Sequence, residues 1–124
     1  MRYGVTDVLV AIDPGVSGAV AWWVPDTLPR PLPNVEDTPT INLTKSKRTM
    51  DIPSALRIFD AFKGRSIVAA IEDVHAMPGQ GVSSMFNFGR NLGQWDAILA
   101  ASGCTVYRVR PQIWKKHFGL LKKD

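Results

Sequence analysis

Short continuous apolar runs set the tightest limit on what this chain can fold into. Asp7 to Ile12 (DVLVAI), Ala19 to Val24 (AVAWWV) and Ile67 to Ile71 (IVAAI) are rich in β-branched or aromatic residues, and Thr105 to Val109 (TVYRV) is a further strand candidate. Runs this short, bounded by turn residues, read as strands of a sheet that other elements cover. PGVSG between the first two predicts a β-hairpin with a glycine-assisted turn. The later runs are separated by helical patterns. Asp51 followed by Pro53 reads as a helix start, with Ala55, Leu56, Phe59 and Phe62 as its apolar stripe and Gly64 as its end. Ser83 or Ser84 caps a longer helix whose core stripe is Met85, Phe88, Leu92, Trp95 and Leu99, stopped by Gly103. Pro111 opens one more short helix around Trp114.

Two stretches resist regular structure. Pro25, Pro29, Pro31, Pro33 and Pro39 exclude a helix between the hairpin and Asp51, which leaves a loop with room for a third strand near Val35 to Thr38. HAMPGQGV, from His75 to Val82, is broken by Pro78, Gly79 and Gly81. The resulting order predicts an α/β fold with a mixed sheet. The first, fourth and fifth strands run parallel because helices cross over between them, and the hairpin partner runs antiparallel at one side. With 124 residues, 45% of them hydrophobic, residues 1–124 are expected to form a single domain around one core.

Composition narrows the function classes. No window approaches the roughly 18 to 20 apolar residues of a membrane span, and the N-terminus lacks the pattern of a signal peptide, so a soluble, cytoplasmic protein is expected. Cys104 is the sole cysteine, which excludes an internal disulfide and a Cys-rich zinc site and is read as a small buried thiol. The net charge is +4, and its distribution is uneven. Arg108, Arg110, Lys115, Lys116, Lys122 and Lys123 crowd the C-terminal stretch beside Trp114 and His117, and TKSKR at Thr44 to Arg48 is a second basic cluster. Such blocks fit either a phosphate-backbone footprint or a solvated charged face.

The chemistry gathers where apolar runs end on acids. Asp13 follows the first strand, and Glu72 with Asp73 follows IVAAI. If those strands are neighbours, Asp13 and Glu72 meet at the carboxyl edge of the sheet, the usual place for a site in an open α/β fold. Two close carboxylates repel unless a cation sits between them, and carboxylate oxygens suit Mg²⁺ or Mn²⁺. An Asp before Pro-Gly also serves as a turn residue that accepts backbone N–H bonds, so both roles stay open for Asp13. Glu72 has no cap or turn to serve. His75 is read as a surface residue rather than an acid or base.

AIDPGVSGAVAWW resembles the first strand and hairpin of RuvC-type Holliday junction resolvases. The stretch from IEDVHAMPGQGVSSMFNFGR through PQIWKKHFGL is similar to the phage and prophage branch of that family. The resemblance covers most of the chain and is weakest from Pro25 to Met50. It implies an RNase H-like mixed sheet with helices on both faces. It also implies a homodimeric endonuclease that cuts DNA four-way junctions, with two Mg²⁺ or Mn²⁺ ions per active site, leaving 5′-phosphate and 3′-hydroxyl ends. By the same resemblance Asp13 and Glu72 are the catalytic metal ligands and Lys115 lies near the scissile phosphate. Met77 is either a wedge into the junction or loop packing, and Lys122 or Lys123 does work similar to that of Lys115; Arg108, Arg110 and Lys116 are DNA-contact candidates from the charge distribution alone. Gly89 and Gly93 allow close approach of the long helix, either to the sheet or, as the family implies, to a second copy.

One departure from the family matters. Its fold closes with a helix whose acids complete the metal site, and no residues here correspond to them, Asp124 being surrounded by lysines. The expectation is therefore a chain truncated before its last helix, with weak or absent cleavage. Four functions compete on the sequence: a junction-resolving nuclease, a different RNase H-like nuclease acting on RNA or linear DNA, against which the MPGQGVSSMF block speaks, a DNA-binding remnant without catalysis, and a fragment of an actin-like ATPase or kinase. The last also begins with a strand, an acid and a glycine-containing hairpin, but needs a second nucleotide-binding half.

Overall fold

Alternation of side chains along the β-branched runs decides which face each strand buries. The computed structural model describes residues 7–15, 17–24, 33–75, 78–117 and 119. Within them β1 (Val8–Ile12) and β2 (Ala19–Trp23) pair antiparallel, Ala11 opposite Ala21 and Ile12 opposite Val20. The connecting turn is closed by a hydrogen bond from the Gly18 N–H to the Gly15 carbonyl, 3.0 Å. β3 (Asn34–Asp37) adds antiparallel to β2 and is exposed along its whole length. β4 (Thr40–Asn42) and β5 (Arg48–Met50) form a separate two-stranded sheet. Then come α1 (Ile52–Asp60), β6 (Ile67–Glu72), α2 (Val82–Ala101), β7 (Thr105–Val109) and α3 (Pro111–His117). The main sheet has the order β3-β2-β1-β6-β7, with β1, β6 and β7 parallel. Among the described residues no helix is long and apolar enough to cross a membrane.

Val8, Val10 and Ile12, with Val20, Ile67, Ala69 and Ile71, turn one face of this sheet toward α1 and α2. Ala55 and Phe59 of α1 meet Trp95, Ile98 and Leu99 of α2 over them, and Phe62 packs its ring 6.1 Å from that of Trp22. Trp95 and Leu99 are fully buried. Cys104 is half-buried against this core, and its loss of solvent pushes the thiol pKa up, which suits packing rather than reactivity.

Several expectations change. The β4–β5 hairpin occupies part of the stretch read as loop. Leu56 and Met85, assigned to core stripes, are exposed: α1 buries only Ala55 and Phe59, and α2 buries only Asn91, Trp95, Ile98 and Leu99. The α2 N-cap is Gly81, not Ser83 or Ser84, and no side chain caps it. A Cβ on Gly89 or Gly93 would meet nothing within 4 Å, so neither glycine packs on the sheet.

Asp51 does cap α1. Its carboxylate accepts from the Ser54 hydroxyl at 2.6 Å and the Ser54 N–H at 3.2 Å, and these bonds, the hydroxyl first, lower its pKa. A lowered folded-state pKa means stability that is present in full above the ordinary carboxylate value of 3.8 and is lost as pH falls through the folded value. Asp51→Asn keeps a capping side chain but removes the charge. Thermal melts should show wild type above this variant near neutral pH and the two converging in acid. A gap that stays constant across that range would contradict the assignment.

Candidate active site

Parallel pairing of β1 with β6 carries two acids to one place. Ile12 is opposite Ile71, so Asp13 and Glu72 each stand one step further along neighbouring strands. Asp13 extends the ladder, its N–H donating to the Ala19 carbonyl at 3.0 Å. By alternation Asp13 shares a face with Leu9 and Ala11, and Glu72 shares it with Val68 and Ala70. Both acids line a single open depression of about 410 Å³, floored by Ala11, Ala19, Ala21 and Ala70 and bounded by Val109. This face is opposite the helix-packed core. The floor is apolar, so the carboxylates are the charged groups of the depression.

Asp13 is exposed, and its Oδ1 accepts from the Gly15 N–H at 3.3 Å. The turn role and the position beside Glu72 therefore coexist. Glu72 is half-buried at the end of β6. Asp73 is turned away by one residue of alternation. Its N–H donates to the Val109 carbonyl at 2.8 Å, and its carboxylate lies 4.0 Å from Arg110 Nε and 3.7 Å from His75 Nε2. His75 is exposed, as expected of a surface histidine. This acid, imidazole and guanidinium cluster had a sequence signal only in the adjacency of Glu72 and Asp73; its partners come from different elements.

The basic candidates divide. Arg108 is opposite Ile71 and so belongs to the helix-packed face, where its guanidinium meets the Asp96 carboxylate of α2 at 2.6 Å. It is not brought together with Asp13 and Glu72, and nothing in sequence spacing marked Asp96 as its partner. Lys115, half-buried, and the exposed Lys116 sit in α3, which follows β7 directly. Met77, Lys122 and Lys123 lie outside the described residues. Among those described, no group of three or more His, Cys, Asp or Glu side chains is placed to hold a metal ion.

No family model matches the sequence, and no curated protein matches it. Solved structures do match the fold. The chain is similar to Thermus thermophilus RuvC in complex with a Holliday junction substrate, with a TM-score of 0.54 at 14% identity over 88% of this chain and 68% of that one. A structure of Thermus thermophilus RuvC is matched with a TM-score of 0.54 at 13% identity over 91% and 69%. The fold is accordingly an RNase H-like α/β fold of the RuvC type, with Asp13 and Glu72 at the carboxyl edge of its central strands.

Proposed function

We propose that the chain is a structure-selective endonuclease that resolves DNA four-way junctions by phosphodiester hydrolysis, leaving 5′-phosphate and 3′-hydroxyl ends, and that it works as a homodimer. The observation that carries this reading is the in-register delivery of Asp13 and Glu72 to one depression in a RuvC-like sheet. Their donor set fits a divalent cation of the Mg²⁺ or Mn²⁺ class, which characteristically takes one or two carboxylates and fills its remaining positions with water and phosphate oxygens. Bound there, such an ion supplies Lewis-acid polarisation of a phosphoryl oxygen and a more acidic water. Asp13 and Glu72 would hold it, and the scissile phosphate would lie beside them over the alanine floor. Lys115 is assigned to that phosphate, and Arg110, Lys116, Lys122 and Lys123 to flanking backbone, with Met77 against the bases at the branch point. Arg108 contributes less because Asp96 already neutralises it.

A second reading, a junction binder without catalysis, is favoured by one specific observation: the described residues bring two carboxylates together and no third. A four-way junction and a linear duplex of the same sequence, incubated with Mg²⁺, separate the two. Slow paired nicks in the junction alone, slow because the described residues bring only two carboxylates together, with ends that a ligase seals directly, are the expected result. A junction bound but uncut in Mg²⁺ and in Mn²⁺ establishes the binder, and a junction neither bound nor cut rejects both.

A further inference from the structure

The second basic cluster is part of a concave site. The turn between β4 and β5 faces the first half of α2 across a cleft of about 460 Å³, lined by Lys47, Arg48 and Arg90 together with Ser46, Ser83 and Asn87. No acid lines it. Among the described residues none of the three cations is in an ion pair, although like charges drawn into one cleft repel. Two of them are held in place by other means. The Arg90 guanidinium lies over the Phe86 ring, 5.0 Å from its centroid, and Arg48 donates to the Ser17 hydroxyl at 3.1 Å. That second contact ties the cleft to the β1–β2 turn, which begins at Asp13.

Uncompensated guanidinium and ammonium groups surrounded by hydroxyl and amide donors, with no carboxylate among them, complement a phosphodiester. We infer that this cleft binds backbone phosphates of a DNA strand whose path continues past Ser17 to the carboxylate pair. This rests on the reading of the chain as a DNA-binding protein and adds to it a contact surface between the β4–β5 turn and the first half of α2. Phe86, 64% exposed at the mouth of the cleft, offers a ring face to a neighbouring base.

The test is the salt dependence of binding to a fluorescent four-way junction, measured by anisotropy without divalent metal so that cleavage does not intervene. Each cation lost from a phosphate contact should flatten the slope of log K against log salt by about one. The double variant Lys47→Ala/Arg90→Ala should therefore lose about tenfold less affinity than wild type between about 50 and 200 mM salt. Lys63→Ala/Arg65→Ala removes the same charge from exposed positions in the turn before β6, at the end of the sheet opposite Glu72, and should keep the wild-type slope. Lys47→Arg/Arg90→Lys should keep it as well. An unchanged slope in the first variant, or an equal flattening in the Lys63 and Arg65 variant, would overturn the cleft as a phosphate site while leaving junction binding intact. Failure of wild type to bind DNA would instead remove the underlying reading, and this inference with it.

Discussion

Asp13→Asn should lower junction nicking by about a thousandfold or more, with junction binding and the thermal midpoint unchanged. The substitution separates the two roles that Asp13 holds. An asparagine side-chain oxygen still accepts from the Gly15 N–H, so the turn survives. What disappears is the negative charge beside Glu72. A loss of about 4 kcal/mol in transition-state stabilisation, within the several expected of a metal-held phosphoryl transfer, corresponds to about three orders of magnitude in rate. Single-turnover cleavage in Mg²⁺ reads this directly. If the variant nicks as fast as wild type, Asp13 is a turn residue and nothing more, and the nuclease mechanism needs another ligand.

Gly18→Ala should cost about 3 kcal/mol and lower the thermal midpoint by roughly 10 °C, at the upper end of what overpacking does. A Cβ at this buried position would fall inside the contact distance of the Asp13 carbonyl oxygen and 2.9 Å from the Gly15 oxygen. Both obstacles are backbone atoms of the same tight turn, so no side-chain rotation relieves them. The only relief is to move the turn, and with it Asp13. Wild-type stability in Gly18→Ala would mean that the turn is looser than the hydrogen bonds at 3.0 Å from Gly18 to Gly15 and from Asp13 to Ala19 imply.

The sheet was legible because its strands are short, apolar and β-branched, and because Pro53 and Gly103 mark helix ends that local chemistry dictates. The proximity of Asp13 and Glu72 followed from two carboxyl-terminal ends and one crossover. The rest depended on tertiary partners that no local pattern carries. β4 and β5 are three residues each, with Thr40, Asn42, Arg48 and Thr49 among them, so neither an apolar run nor a turn dipeptide announces the pair. Leu56 and Met85 satisfy the helical period, yet period alone does not say where a covering surface ends. Arg108 reads as a free cation until the sheet brings Asp96 opposite it. Arg90 and Lys47 are forty-three residues apart in the chain, and only the packing of α2 beside β5 makes them neighbours.

The pairing that creates the depression also dictates when it can exist. Ile12 and Ile71 are fifty-nine residues apart in the chain, so the central strand pair forms only after a long loop has closed, at an entropic cost that no nearby contact repays beforehand. The β1–β2 hairpin can assemble early from neighbouring residues, and α1 and α2 can fluctuate into place, but none of these pieces contains the two acids together. A ribosome must finish β6 before the carboxylates can meet. Topologies of this kind fold more slowly than helical bundles of equal length, and the two carboxylates come together only once that long-range pairing has formed.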